Sequence, residues 1–151
     1  MTTARTAYRE VSAQGGSPVR LVVMLYEQLI EDLRLAIDAM GRSDIEARTH
    51  KINHAILILA HLQSALCAQA NSSVTQNLET FYNQVRNHLI AAQAHGSVRL
   101  LTQEVTDLLT MREVWIEVER RELAATAVEL GLDRPDPAEP QASTLSGRVE
   151  G

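Results

Sequence analysis

Glu46, His50 and His54 follow one another at four-residue spacing. On a helix they share one face and could offer a carboxylate and two imidazoles to a metal ion. A metal centre also needs ligands converging from a second element and groups that fix the imidazole rings, and the sequence supplies neither at a readable spacing. A solvated polar stripe opposite an apolar seam accounts for the row, so no metal is expected. Cys67, the single cysteine, lies six residues beyond His61. That separation points the two around different sides of a helix, which leaves a small buried thiol rather than a nucleophile pair, and His61 as a boundary residue. His88 and His95 have no acidic residue at helical spacing and read as edge residues. There is no Glu-x-x-His repeat for a di-iron site and no glycine-rich phosphate loop, the seven glycines falling at helix ends, in the N-terminal arm and in the tail. No catalytic residue and no cofactor is expected, and the chain does not read as an enzyme. Arg112 interrupts an apolar row ahead of Trp115, where it can pair with a carboxylate or lay its stem over the indole. Trp115 itself is expected in the core.

The elements that would carry these residues are helical. Ser17 followed by Pro18 is a helix start: the serine oxygen accepts from a first-turn N–H, and proline brings a preset φ and no donor. Val22, Tyr26, Leu29, Leu33, Ala36 and Met40 then form a seam that stops before Gly41. Six consecutive apolar residues, Leu21 to Tyr26, run around nearly the whole circumference, so one core cannot shelter them all. Ser43 with Glu46 reads as a capping box ahead of a second seam, Ile52, Ala55, Leu59, Leu62 and Leu66. Ile56, Leu57 and Ile58 fill other faces of that helix. Ser73 with Gln76 repeats the capping pattern before Leu78, Phe81, Val85 and Leu89, and Gly96 ends that helix. A fourth runs from Val98 through Leu108 and Trp115 to Leu130, with Gly131 beyond it.

Long helices with short connections predict an all-α, antiparallel up-down four-helix bundle, with helices near 18–40, 44–68, 73–95 and 98–130. The expected core holds Leu29, Leu33, Ile52, Leu59, Leu62, Leu78, Val85, Leu89, Leu108 and Trp115. Residues 1–16 form a short N-terminal arm, 17–131 the bundle domain, and the proline-containing 132–151 a disordered tail, because it has too little apolar surface to offset ordering entropy.

Composition narrows the partners. A net charge of −5 with Lys51 as the single lysine argues against a phosphate-backbone partner, so no nucleic acid is expected. The longest apolar run is six residues, far short of the roughly 20 that span a membrane, and the N-terminus has no signal-like apolar region. With one cysteine and no leader-like segment, a cytoplasmic chain without membrane insertion is expected.

Ala7-Tyr8-Arg9-Glu10-Val11, then Ser17-Pro18 and Leu21 to Tyr26, resembles the opening of the bacterial flagellin export chaperones, the FliS family. Asn77-Leu78 with Tyr82 and Leu89 is similar to that family's third helix. Glu104-Val105 with Arg112-Glu113 and Trp115 is similar to its fourth. The likeness covers residues 4 to 120; Glu27-Gln28 and Asn87-His88 depart from it. It implies a cytosolic chaperone that binds the C-terminal segment of flagellin, prevents premature polymerisation and delivers it to the flagellar type III export apparatus through an export gate component. The partner surface is assigned to Tyr8 and Val11 in the arm, Leu21, Leu25 and Tyr26 on the first helix, and Ile56 and Leu57 on the second. By similarity the arm lies over part of that surface when no client is present. A non-catalytic helical-bundle adaptor, or a structural protein self-associating through the same faces, is the alternative, and weak homodimerisation of the free chain belongs with it.

Overall fold

The computed structural model describes residues 17–67 and 72–131, and the expectations placed on the arm and on the tail beyond 131 lie outside them. Among the described residues there are four helices: α1 (Pro18–Gly41), α2 (Ile45–Cys67), α3 (Ser73–His95) and α4 (Val98–Glu129). All four bounds fall within a residue or two of those the seams predict.

Each start has its acceptor. Ser17 Oγ accepts from the Arg20 N–H at 3.2 Å with Pro18 in the first turn, as expected. The two expected capping boxes are each displaced by one position. Asp44 rather than Ser43 caps α2, its Oδ1 accepting from the Ala47 N–H at 3.0 Å, while Ser43 takes a left-handed φ of 56° to turn the chain. Ser72 rather than Ser73 caps α3, accepting from Thr75 at 3.2 Å. In both places adjacent residues carry equally competent oxygens, and side-chain chemistry alone does not choose between them. Gly96 closes α3 at φ 61°, and Ser97 Oγ opens α4 by accepting from Leu100.

Side-chain pairs set the directions. Arg48 and Thr49 on α2 reach Gln93 on α3, whereas Gln63, further along α2, reaches Asn83, earlier on α3. The two helices therefore run antiparallel. Arg20 meets Glu119 and Glu27 meets Arg112, so α1 and α4 run antiparallel as well. These partly exposed ion pairs fix register and contribute little stability, of order 0 to 1 kcal/mol each.

One aliphatic core joins all four helices, centred on Leu29, Leu33, Ile52, Leu59, Val85, Leu89, Leu101 and Leu108. Every expected core position is buried except Trp115, which packs half-buried against the cluster edge. It borders a cavity between the helices rather than the close-packed middle of the core. Burial of the Cys67 thiol lies outside the described side chains. No helix among the described residues is long and apolar enough to cross a membrane. The chain divides at Glu119/Arg120 into two compact units. The second, in its described part, is a helical stretch with Leu123, Val128 and Leu130 exposed.

Candidate functional site

Among the described residues, the apolar surplus at the start of α1 is only partly covered. Pro18 at the helix start sets Leu21, Val22 and Leu25 on neighbouring faces, and these form one wall of a cavity of about 660 Å³. The end of α2 supplies His61, Leu62, Ala65 and Leu66, the start of α3 supplies Val74, Leu78 and Tyr82, and α4 contributes Trp115. In an antiparallel arrangement the start of α1, the end of α2 and the start of α3 meet at one end of the bundle, so their separate apolar excesses add into one groove. Val74, one residue inside α3, is largely exposed there.

Beneath the groove lies a polar cluster. The Tyr26 hydroxyl donates to the Tyr82 hydroxyl at 2.9 Å, with ring centroids 6.2 Å apart and tilted by 56°. Burial raises both phenols above their ordinary value of 10.0, so both stay protonated across the physiological range. Trp115 Nε1 is close enough to pull both downward, yet it makes no hydrogen bond of acceptable geometry and is a buried donor without a partner.

The rows of titratable residues go elsewhere. His54 Nδ1 lies 2.5 Å from Oδ2 of the fully buried Asp32, whose other oxygen accepts from Gln28 Nε2 at 3.1 Å. This pair ties α1 to α2 and takes His54 out of the Glu46/His50 row. Glu46 and His50 line a separate polar recess at the start of α2 with Asp44, Thr49 and Asn53. No group of three or more metal-binding side chains occurs among the described residues. His88 is a correction: its Nδ1 pairs with Oε1 of buried Glu104 on α4. Burial is the larger influence on that carboxyl and raises it, while His88 pulls it down. Arg112 pairs with Glu27 at 3.7 Å and Glu113 at 3.4 Å, and its Nε is buried without a partner.

Of the residues assigned to the partner surface, Leu21 and Leu25 stand together on the groove wall. Tyr26 is completely buried behind that wall. Ile56 and Leu57 are half-buried on α2 and do not line the groove, and Tyr8 and Val11 lie outside the described residues. His61, Leu66, Val74 and Trp115 were not foreseen as groove residues. The signal was present: apolar residues in excess of a seam, at helix ends that an up-down topology brings together.

Bundle and groove together define a helical scaffold with an open apolar recess at one end. Residues 1–122 match the family model described as "Flagellar protein FliS", and the chain belongs to the FliS family. The chain is 24% identical over 130 residues to the flagellar secretion chaperone FliS of Vibrio cholerae, covering 83% of this chain and 96% of that one. It is 24% identical to the Bacillus subtilis protein of the same name, over 78% of this chain and 89% of that one. Against the Pseudomonas aeruginosa flagellar secretion chaperone FliSB the identity is 28%, over 74% and 92%.

Proposed function

We propose that this chain is a cytoplasmic export chaperone of the bacterial flagellum. It takes the C-terminal segment of flagellin as a helix against its apolar groove, prevents premature polymerisation, and delivers the client to an export gate component of the flagellar type III apparatus. The groove is the observation that carries this reading, together with membership of the FliS family. A filament protein that becomes helical only on assembly has an apolar face without a partner while monomeric, and an apolar groove is the complementary surface for it. The mechanism needs masking and no bond chemistry. Leu21 and Leu25 provide wall contacts in this reading, and Ile56 and Leu57 contact the part of the client that extends beyond the groove. Tyr26 acts from behind the wall by holding Tyr82. The arm carrying Tyr8 and Val11 leads into Ser17 beside the groove mouth and competes with the client.

Calorimetric titration with a synthetic peptide of the flagellin C-terminal segment tests the reading. Binding should be saturable and insensitive to EDTA, with a large negative heat-capacity change as the peptide folds and buries apolar area. Absence of binding would overturn it. Open apolar surface also favours weak self-association of the free chain. Size-exclusion chromatography separates the two uses: peptide should dissolve the self-associated species if both occupy the groove. Deleting residues 1–15 should tighten peptide binding, since less free energy goes to opening the groove.

A further inference from the structure

Among the described residues, the groove wall carries no carboxylate and no permanent positive charge. Along α2 no Asp, Glu, Lys or Arg follows Lys51, and on α3 the first is Glu79, which stays off the lining. On α1 the nearest charges in sequence are Arg20 and Glu27, which pair with Glu119 and Arg112 of α4 rather than line the groove. Glu113 pairs with Arg112 and is off the lining as well. Two lining residues can titrate, Tyr82 and His61, and burial keeps the Tyr82 phenol protonated. His61 is therefore the one group on this wall whose charge changes near neutrality. It is partly exposed on α2, beside Leu62 and a turn before Ala65. The contrast with two other histidines is direct: His54 has buried Asp32 and His88 has buried Glu104, whereas the groove wall offers His61 no anion.

In the open groove, water solvates either form of the imidazole. A helical client laid along the wall removes that water, and enclosure without an anion disfavours the charged form. A neutral ring is satisfied by a hydroxyl, which can donate or accept, and Ser64 and Thr75 stand on the same lining. We propose that His61 makes the groove acid-sensitive: the client is held with the imidazole neutral, so binding expels a proton to solvent and protonation in acid loosens the client. The inference rests on the groove-binding reading above and adds how that site is regulated. A client that carried its own carboxylate to His61 would reverse the sign, taking up a proton and binding more tightly in acid.

Calorimetric titration of the full chain with the synthetic flagellin C-terminal peptide tests this. Between about pH 7.5 and about pH 5.5 the natural chain should lose about tenfold in affinity, the factor set by an imidazole of ordinary value near 6.5 that must be neutral in the complex. His61→Gln, polar and never charged, should lose less than about twofold over the same interval. His50→Gln, in the separate polar recess at the start of α2, should respond as the natural chain does. Titrations near neutrality in two buffers of different ionisation enthalpy count the proton directly: the natural chain should release it and His61→Gln should not. Should His61→Gln fail to fold, imidazole NMR on the natural chain decides, since the His61 ring should titrate in the free protein and stay neutral into acid in the complex. Proton uptake, or the same pH response in the natural chain and His61→Gln, overturns the inference and leaves the groove-binding reading standing. If the natural chain does not bind the peptide at the higher pH, that reading falls first and this one with it.

Discussion

The two ends of the bundle are built from the same aliphatic side chains and differ in what closes them. At the end where α1 hands over to α2 and α3 to α4, the turns are short: Asp44 caps α2, Gly96 and Ser97 link α3 to α4, and the Arg48 guanidinium and Thr49 bond across to Gln93. Two recesses lie there, one of about 280 Å³ with Arg48 and Asp44 in its wall and one of about 670 Å³ lined by Glu46, His50 and Asn53 among others. At the opposite end the cavity of about 660 Å³ is no larger but differs in chemistry, since leucines, valines and Trp115 dominate its lining. A short turn brings a helix end and its partner together and gives polar groups something to bond. At the open end the described parts of the four helices leave apolar side chains lining a groove, where a partner can reach them.

Substitutions should separate the ends cleanly. In the middle of the core, which serves both ends, Leu59→Ala should cost ~2 to 5 kcal/mol in chemical denaturation, through lost transfer energy and the cavity left behind. At the closed end, Gly96→Ala should cost ~1 to 2 kcal/mol, since φ is +61° and a Cβ would stand 3.3 Å from Arg48 Nη1. Peptide binding should be unchanged in it. At the open end, Leu21→Ala should cost at most about 1 kcal/mol of stability, because part of the side chain already faces water. It should nonetheless weaken the peptide about tenfold, or 1.4 kcal/mol. Equal stability losses in Gly96→Ala and Leu21→Ala, with equal effects on binding, would erase the distinction between the ends.

The seams made the architecture legible because apolar spacing is a local property: Leu29, Leu33, Ile52 and Leu59 declare their inward face through residues three and four away. What the sequence did not declare is long-range. His88 has no acidic neighbour on its own helix, and its partner Glu104 comes from the next one. His54 looked like part of a polar row until α1 placed buried Asp32 beside it. Tyr26 was legible as apolar excess, yet its burial depends on Tyr82, 56 residues away. The groove was half readable: Leu21 and Leu25 announced it, while Leu66, Val74 and Trp115 joined it only through the packing of four helix segments at one end.

The smallest expected effect is a difference in pH response between the two ends. Glu104 lies on the α3/α4 seam towards the closed end, and burial raises its carboxyl above the ordinary 4.5, with Asp107 adding to the rise and His88 opposing it. The native state then holds this proton more tightly than the unfolded chain does. Between the two values it binds more protons, so this group's contribution to stability is present in full below 4.5 and is lost as pH rises through the native value. Glu104→Gln has no proton to lose. Its stability relative to the natural chain should be level in acid and shift in the variant's favour as pH rises, read by urea denaturation at steps between about pH 4 and pH 7. Tyr82→Phe at the open end should show no such drift, because burial raises its phenol and keeps it protonated over the whole interval. A drift in Tyr82→Phe, or none in Glu104→Gln, would mean that the buried charge of the closed end is not what sets it apart.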